Sequence, residues 1–332
     1  MIAIIPVAGV GTRLRPHTHT APKVLLHVAG KPILGHILDE LLELGVTETV
    51  FIVGHLGQMV EQYVATSYPM LNARFVEQEE RKGLGHAIWL TRPVADGRGP
   101  LLIILGDTIF QADLRGALNN HESVIGVKEV ADPRRFGVVE MDADGHVSGL
   151  VEKPEHPKTN LAIVGIYLIR EPDVLFDCLD QLIREDRRTS GEYQLTDALA
   201  LMLRRGVRMK TFTVNGWLDC GKPETMLETN RLLLEEKERQ TPVMPEYFPE
   251  SIVLAPVSIS PGAKIERSII GPYVSVSDGA RVRNSIVSNS IISENAEVSN
   301  IILDSSIISN NARLKGHRSR LNVGDSSEIS FE

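Results

Sequence analysis

The chain has 332 residues, of which 42% are hydrophobic, and this size and composition predict two globular domains with a sizeable core. Its formal net charge of −8 argues against a nucleic-acid partner, because nucleic-acid binding depends on clustered Lys and Arg. No apolar stretch approaches the roughly 20 residues that span a bilayer, and no basic segment precedes the short apolar run at residues 2–7. The two cysteines, Cys178 and Cys220, lie far apart in the sequence and suggest no disulfide framework. We therefore expect a cytoplasmic protein that binds small molecules and has neither a membrane nor a nucleic-acid partner.

The first predicted element is a strand at residues 2–7, and the loop AGVGTR at residues 8–13 follows it. Two glycines around one small residue let the backbone turn sharply and direct its N–H groups toward an anion. Arg13 adds a guanidinium that can bind two phosphate oxygens, and Lys23 adds a second cation. The loop is not a Walker A motif, and Leu14 stands where the dinucleotide fingerprint has its third glycine. These residues favour a different type of phosphate-binding loop over a simple turn.

The chain then alternates between helix-like and strand-like segments. Continuous apolar strands separated by helices are typical of a parallel sheet that is covered on both faces. Ligands bind such sheets beyond the carboxyl ends of the strands, so the loop at 8–13 and Asp107 are expected at one edge. The predicted elements are helices over 32–44, 58–65 and 84–91 and strands over 49–53, 74–78 and 101–105.

Two aspartates follow predicted strands. Asp107 comes directly after the strand at 101–105, and Asp219 lies between a strand at 208–214 and a helix that begins around Pro223. Two carboxylates at one sheet edge suit Mg²⁺, which keeps several waters and takes phosphate oxygens as further ligands. Asp107 also has a structural interpretation, as the N-cap of the next helix. The residues alone leave both interpretations open.

Beyond residue 250 the pattern changes to aliphatic residues at steps of five or six, with small polar residues between them. A period near six is typical of a parallel β-helix, in which each step is one face of a coil. A disordered Ser/Asn-rich tail is the alternative, but such tails do not carry aliphatic residues so regularly. We predict a domain over 1–240, a linker over 241–250 and a β-helix over 251–332. The aliphatic positions are Ile259, Ile265, Ile270, Val276, Val282, Val287, Ile292, Val298, Leu303, Ile308 and Leu314.

Nine short motifs over residues 1–240 resemble, in order, those of the sugar-1-phosphate nucleotidyltransferases: PVAGxGTRL, PK, GKPI, KGLGHA, LGD, FGVVEMDADG, EKP, GEYQLTDA and WLDCG. IPVAGVGTR and KGLGHA are similar to bacterial UDP-glucose pyrophosphorylases. LGDTIF, EKP, WLD and the tail segment LNVGDSSEI at 321–329 resemble long-form glucose-1-phosphate thymidylyltransferases. The resemblance implies an α/β fold: a Rossmann-like, glycosyltransferase-A-like catalytic domain with a mixed, mostly parallel sheet, followed by a left-handed parallel β-helix.

The resemblance also implies a role for each matching residue. The residues that would bind the nucleotide are Ala8, Gly9, Gly11, Thr12 and Arg13 in the first loop and, at the edge of the base, Gln78 and Gly83. The residues that would face the sugar and its phosphate are Gly137, Glu152 and Lys153. Mg²⁺ would be held by Asp107 and Asp219. The catalytic set would be Arg13, Lys23, Asp107, Lys153 and Asp219.

The implied reaction joins glucose-1-phosphate to dTTP or UTP. A sugar-phosphate oxygen would attack the α-phosphorus in line, giving dTDP- or UDP-glucose and pyrophosphate, so catalysis would consist of positioning and charge neutralisation. The first loop is one residue shorter than AGGxGTRL of the thymidylyltransferases, which leaves both nucleotides as candidates.

Two other functions remain as alternatives. A catalytically silent regulatory relative would be expected to have lost part of the catalytic set. A bifunctional enzyme would also transfer an acyl group at the β-helix, where the sequence offers only His317 as a candidate group. We expect the β-helix to build a homo-oligomer instead.

Overall fold

The computed structural model of the chain describes residues 1–240, 248 and 250–317. These residues form two compact units. The first comprises Met1–Leu26 and Lys31–Met226, and the second comprises His27–Gly30 with the described chain from Leu227 onward. Most of the linker predicted at 241–250, and the segment LNVGDSSEI at 321–329, lie outside the described residues. None of the helices that are described has the length and apolar character needed to cross a membrane.

The strands as far as residue 219 are β1 (Ile2–Pro6), β2 (His27–Val28), β3 (Lys31–Pro32), β4 (Glu48–Val53), β5 (Asn72–Glu77), β6 (Leu101–Ile104), β7 (Thr108–Gln111), β8 (Ser123–Glu129), β9 (Gly137–Met141), β10 (Val147–Glu152), β11 (Leu161–Ile169), β12 (Met209–Thr213) and β13 (Gly216–Asp219). The helices are α1 (Ile33–Glu43), α2 (Gly57–Ser67), α3 (Leu84–Leu90), α4 (Arg92–Ala95), α5 (Leu114–Leu118), α6 (Pro172–Arg184), α7 (Leu195–Arg204) and α8 (Pro223–Gln240).

The main sheet of the first unit has nine strands. Its parallel part has the order β6-β1-β4-β5, so the carboxyl ends of these four strands point the same way. Strand β11 pairs antiparallel with β6. Beyond β11 the sheet branches: one branch continues through β9 to β10, and the other continues through β8 to β12. The expected Rossmann-like mixed sheet is therefore confirmed.

Both faces of the parallel strands are buried, as their continuous apolar sequences predict. Alternate residues point to opposite faces, so Ile4 packs in one core and Ile5 in the other. The first core is completed by side chains of α3, α6 and α7, including Ile88 and Phe176. The second core is completed by side chains of α1 and α2. The helices thus hold the strand ends in a fixed arrangement.

Over residues 250–317, the structure describes twelve short strands, β14 (Ile252–Val253), β15 (Val257–Ile259), β16 (Lys264–Glu266), β17 (Ile269–Ile270), β18 (Val274–Val276), β19 (Arg281–Arg283), β20 (Ile286–Val287), β21 (Ile291–Ile292), β22 (Glu297–Ser299), β23 (Ile302–Leu303), β24 (Ile307–Ile308) and β25 (Arg313–Lys315). Each of the first nine strands pairs in parallel with the third strand after it, which builds three four-stranded sheets. The predicted β-helix is confirmed. Of its predicted aliphatic positions, all but Leu314 belong to the core or pack against it.

One sheet of the β-helix, β15-β18-β21-β24, packs against α8 within the second unit. Asn230 on α8 is fully buried. Its side-chain oxygen accepts hydrogen bonds from the Ala29 backbone N–H (2.8 Å) and from the Ser275 hydroxyl (2.6 Å). Its amide donates to the Tyr273 carbonyl at 3.2 Å. Because buried polar groups are costly unless they are paired, this residue fixes His27–Gly30 and α8 to the same coil.

Candidate active site

A cleft of about 340 Å³ opens at the carboxyl ends of β1 and β6, and we call it the strand-end cleft. Its lining includes Gly9, Gly11 and Arg13 from the loop after β1, Lys23 from the following segment, and Asp107 after β6. Thr12 also lines the cleft, whereas Ala8 packs against Gly54 at the end of β4. The structure thus brings the two predicted loops to one edge of the sheet.

Gly11 makes the sharp turn of the first loop. Its backbone has φ 65°, in the left-handed region that favours glycine. A Cβ at this position would lie 3.0 Å from both Lys23 Cβ and Thr18 Cγ2. The Thr18 hydroxyl donates to the Gly11 carbonyl at 2.9 Å. This close approach places Lys23 directly against the loop.

Lys23 and Asp107 form an ion pair at the base of the cleft, with Lys23 Nζ 2.8 Å from Asp107 Oδ2. The lysine side chain is only 7% exposed, whereas the aspartate is 48% exposed. A buried ammonium group needs a partner, and Asp107 supplies it. The alternative in which Asp107 caps the next helix is wrong, because Asp113 caps α5 by accepting a hydrogen bond from Gly116 N–H at 2.9 Å.

Asp219 reaches the same edge through an antiparallel ribbon of β7 and β13, which pairs Asp219 with Thr108. A Cβ on Gly221 would lie 2.7 Å from Asp219 Oδ1 and 3.3 Å from Arg13 Nη2. The missing side chain at residue 221 therefore leaves room for a carboxylate and a guanidinium side by side. Carboxylate oxygens are ligands that suit Mg²⁺. Among residues 1–240, 248 and 250–317, no three His, Cys, Asp or Glu side chains gather into a metal cluster.

Gln78 and Gly83 are also brought together. Gln78 follows β5 and is buried, and its Nε2 donates to the Gly83 carbonyl at 3.2 Å and lies 3.2 Å from His86 Nδ1. Gly83 has φ 105°, and a Cβ there would lie 2.6 Å from the Tyr193 carbonyl. Tyr193 exchanges backbone hydrogen bonds with this loop, accepting from Gly85 N–H and donating to the Lys82 carbonyl, both at 2.8 Å. This contact between the GEYQLTDA and KGLGHA motifs was not predicted, because it joins segments more than 100 residues apart in the chain.

A third cluster joins β9, β10 and α7. Glu152 Oε2 accepts a hydrogen bond from the Thr196 hydroxyl at 2.7 Å, and Lys153 Nζ lies 3.6 Å from Glu152 Oε1. A Cβ on Gly137 would lie 3.0 Å from Glu152 Oε2, so glycine gives the carboxylate its space. The predicted sugar-side residues therefore lie together.

The charge of Glu152 also acts on a neighbouring tyrosine. Burial raises the pKa of Tyr167, and the Glu152 charge raises it further.

This third cluster is connected to the strand that carries Asp219. Lys153 N–H donates to the Phe136 carbonyl at 3.0 Å, and the Phe136 ring meets the Trp217 ring edge-on with centroids 4.8 Å apart. Trp217 lies on β13, two residues before Asp219. Trp217 and Thr196 were absent from the predicted site, although both stand inside the WLDCG and GEYQLTDA motifs.

Comparisons with known proteins identify the family of the chain. A family model described as nucleotidyl transferase matches residues 2–236, and one described as GlmU-like, C-terminal hexapeptide matches residues 238–317. The UTP–glucose-1-phosphate uridylyltransferase AglF of Haloferax volcanii is 33% identical, over 73% of this chain and 100% of its own. A glucose-1-phosphate thymidylyltransferase of Streptomyces antibioticus is 32% identical, over 82% of this chain and 77% of its own.

A solved structure shows the same fold. A UDP-glucose pyrophosphorylase complexed with UDP-glucose has 26% sequence identity and a TM-score of 0.61, with 71% of this chain and 98% of that chain covered. The matches over residues 2–236 and 238–317 and the shared fold lead to one conclusion. The chain belongs to the sugar-1-phosphate nucleotidyltransferases, and it carries a left-handed β-helix of the hexapeptide type at its C-terminal end.

Proposed function

We propose that the protein transfers a nucleotidyl group from UTP or dTTP to glucose-1-phosphate and releases pyrophosphate. The convergence of Arg13, Lys23, Asp107 and Asp219 at the strand-end cleft carries this proposal, because the reactants together bring at least four negative charges. Relatives named for UTP–glucose-1-phosphate uridylyl transfer and for glucose-1-phosphate thymidylyl transfer support the choice of substrates.

Each group of residues has one task in this proposal. Arg13 and Lys23 bind the β- and γ-phosphates and stabilise the charge that the departing pyrophosphate gains. Lys153 binds the phosphate of glucose-1-phosphate, and Glu152 accepts hydrogen bonds from the sugar hydroxyls. The sugar-phosphate oxygen then attacks the α-phosphorus on the side opposite to pyrophosphate. Since the attacking group is already an anion, no protein base is needed, and the enzyme contributes orientation and charge neutralisation.

Asp107 and Asp219 would hold Mg²⁺ in this site. Asp107 directly precedes β7, and Asp219 on β13 pairs with Thr108, the first residue of β7. Two carboxylates placed in this way fit an ion that takes both of them and completes its shell with water and phosphate oxygens. When bound, the ion neutralises phosphate charge as a Lewis acid. Lys23 would keep the Asp107 carboxylate oriented toward it, since it already donates to Oδ2.

A pyrophosphate-release assay over a grid of nucleoside triphosphates and sugar-1-phosphates tests this function. We expect turnover with UTP or dTTP and glucose-1-phosphate, with Mg²⁺ required, and identification of the nucleoside diphosphate glucose as product. Tight binding of the product without any turnover would instead support the silent regulatory relative.

We also propose that the β-helix assembles two copies of the chain. One of its sheets exposes a row of isoleucines, which we call the isoleucine face: Ile252, Ile269, Ile286 and Ile302. Ile302 is 74% exposed and Ile252 is 56% exposed, and exposed apolar rows of this kind mark association surfaces. A cleft of about 1010 Å³ lies along this face, with Glu250 and Lys315 among its lining residues.

The ends of the isoleucine face are complementary to each other. Glu250 precedes its first strand, β14, and Lys315 ends β25, which lies on a neighbouring sheet in the last coil that the structure describes. If two copies pack these faces in antiparallel orientation, the Glu250 carboxylate of each lies against the Lys315 ammonium of the other. A second copy of this chain would therefore cover the row of isoleucines and pair the charged groups at its two ends.

The molar mass in solution tests the assembly. We expect twice the 36.6 kDa chain mass by light scattering, and a shift to the single-chain mass in Ile302→Glu. Glu297→Lys, on the charged sheet β16-β19-β22-β25, is the matched control and should keep the wild-type mass. A wild-type mass of 36.6 kDa, or an unchanged mass in Ile302→Glu, contradicts the proposal.

The GlmU-like match over residues 238–317 favours one second activity, acyl transfer at the β-helix. The release of free thiol from acetyl-CoA in the presence of an amino-sugar phosphate measures it. Our proposal, in which the β-helix serves assembly, expects no release above the rate without protein.

A further inference from the structure

The orientation of the Gln78 side-chain amide is fixed by its neighbours. The Gly83 carbonyl can only accept a hydrogen bond, so the atom that lies 3.2 Å from it must be the amide nitrogen, Nε2. The same nitrogen lies 3.2 Å from His86 Nδ1. Because Nε2 has two hydrogens, one can go to each neighbour. The carboxamide oxygen, Oε1, is then the atom that neither of these two neighbours uses.

This arrangement also fixes the tautomer of His86. Nδ1 can accept from Gln78 only if it carries no proton, so the proton of the neutral ring must be on Nε2. The ring lies at 5.8 Å from the Trp89 ring and at 6.5 Å from the Tyr193 ring, measured between centroids. These aromatic neighbours restrict its rotation and keep Nδ1 facing the amide.

We infer that His86 is a positioning residue that makes Gln78 selective for uracil and thymine over cytosine. This inference rests on the proposed function, in which Gln78 and Gly83 read the edge of the base. Uracil and thymine have an N3–H that donates to Oε1. Cytosine has an unprotonated N3 at the same position, so two acceptors would face each other. His86 and the Gly83 carbonyl both accept from Nε2, and together they oppose the turn of the amide that would relieve that conflict.

Protonation of His86 should remove the selectivity. An imidazolium has N–H at both ring nitrogens, so Nδ1 would become a donor facing the donor Nε2 of Gln78. The Gly83 carbonyl would then be the one neighbour of these two that still holds Nε2 in place, so the amide would present Nε2 to the base more often than in the neutral state. Loss of UTP affinity at acid pH and relative gain of CTP affinity are the expected signs.

The charged groups around His86 determine the pH range of this change. Burial lowers the pKa of His86, the Lys82 ammonium lowers it further, and the Glu80 carboxylate raises it. Lys82 and Glu80 pair with each other, and the ring of Tyr193 also faces His86. Because the pKa lies below the ordinary value of about 6.5, the ring is neutral at pH 7. The change must therefore occur as the pH falls below that value.

Equilibrium binding of UTP and CTP to His86 variants tests the inference separately from turnover. His86→Asn is the matched control, since its Oδ1 can accept from Gln78 in place of Nδ1 but cannot titrate. His86→Phe keeps the aromatic packing without an acceptor, and His86→Ala serves if the phenylalanine variant does not fold. Wild type should prefer UTP over CTP by at least about 100-fold, as expected when a mismatch leaves buried polar groups unpaired.

At pH 7.5 we expect His86→Asn to keep the UTP-to-CTP preference within about threefold and His86→Phe or His86→Ala to lose at least tenfold of it. Between pH 7.5 and pH 5, wild type should lose more preference than His86→Asn, a comparison that cancels the titration of the nucleotide phosphates and of cytosine N3. An unchanged preference in both His86→Phe and His86→Ala, or the same acid-dependent loss in His86→Asn as in wild type, overturns the inference. If UTP binds selectively but no substrate pair reacts, the proposed function fails and this inference stands.

Discussion

The two units of the protein place their polar side chains in opposite ways. In the α/β unit, loops from distant parts of the chain meet at one sheet edge, so Arg13, Lys23, Asp107 and Asp219 form one charged group. In the β-helix, each coil repeats the one before it, so equivalent positions form rows along a face. Loops that converge can surround a reacting phosphorus atom. A repeating surface instead presents the same types of side chain along its whole length. The first arrangement suits catalysis and the second suits association.

Removing a carboxylate from the strand-end cleft should have the largest effect on turnover. Asp107→Asn and Asp219→Asn should each lower kcat by at least about 100-fold, the usual loss when one preorganised charge contact is removed from an active site. Steady-state kinetics at saturating Mg²⁺ measures this effect. Asp144→Asn, on the exposed turn between β9 and β10, makes the same chemical change and should leave kcat unaltered. Near-wild-type turnover in either cleft variant would refute the assignment.

Lys153→Ala should have a smaller and more selective effect. The loss of one hydrogen bond to a charged group costs about 1.5–3 kcal/mol, so KM for glucose-1-phosphate should rise roughly 10- to 100-fold. The affinity for the nucleotide should change little, because Lys153 lies in the cluster of Glu152 and Thr196. Lys158→Ala is the control, since that lysine is 77% exposed and pairs with Glu140. If lost nucleotide affinity is the main defect, Lys153 belongs to the other substrate.

A cavity in the β-helix should change stability without changing the chemistry. Ile292 is fully buried in the core of the coil, and Ile292→Ala should destabilise the protein by about 2–5 kcal/mol. The midpoint of thermal unfolding followed by circular dichroism should therefore fall, while kcat measured well below that midpoint stays at the wild-type value. Leu254→Ala, at a side chain that is 45% exposed, should move the midpoint much less. A proportionate fall in kcat for Ile292→Ala would show that the β-helix core affects the transfer step.

The sequence was sufficient to predict the β-helix because its pattern of aliphatic residues repeats. Every coil carries an aliphatic residue at the same step, so the position of Val282 in the core follows from that of Ile265. The order of motifs in the α/β unit likewise predicted which strand ends carry the site. Helix ends were predicted less accurately. The helix predicted over 84–91 ends at Leu90, and the separate helix α4 follows it.

The pairings within the site could not be predicted, because they depend on contacts between residues far apart in the chain. Lys23 and Asp107 were assigned to different ligands, and their direct ion pair follows only from the packing of the first loop on β6. The β7–β13 ribbon that brings Asp219 beside Thr108 has no local sequence signature. The role of Asp107 was ambiguous until the structure showed that Asp113 caps α5.

Single-turnover transfer with UTP labelled at the α-phosphorus tests the central claim most directly. Excess wild-type protein, mixed with this nucleotide, glucose-1-phosphate and Mg²⁺ and then quenched, should yield labelled UDP-glucose at the same rate as pyrophosphate appears. No label should remain on the protein, since the sugar phosphate attacks directly, and both rates should fall together in Asp107→Asn. Label bound covalently to the protein, or pyrophosphate release without glucose-1-phosphate, would contradict direct in-line transfer.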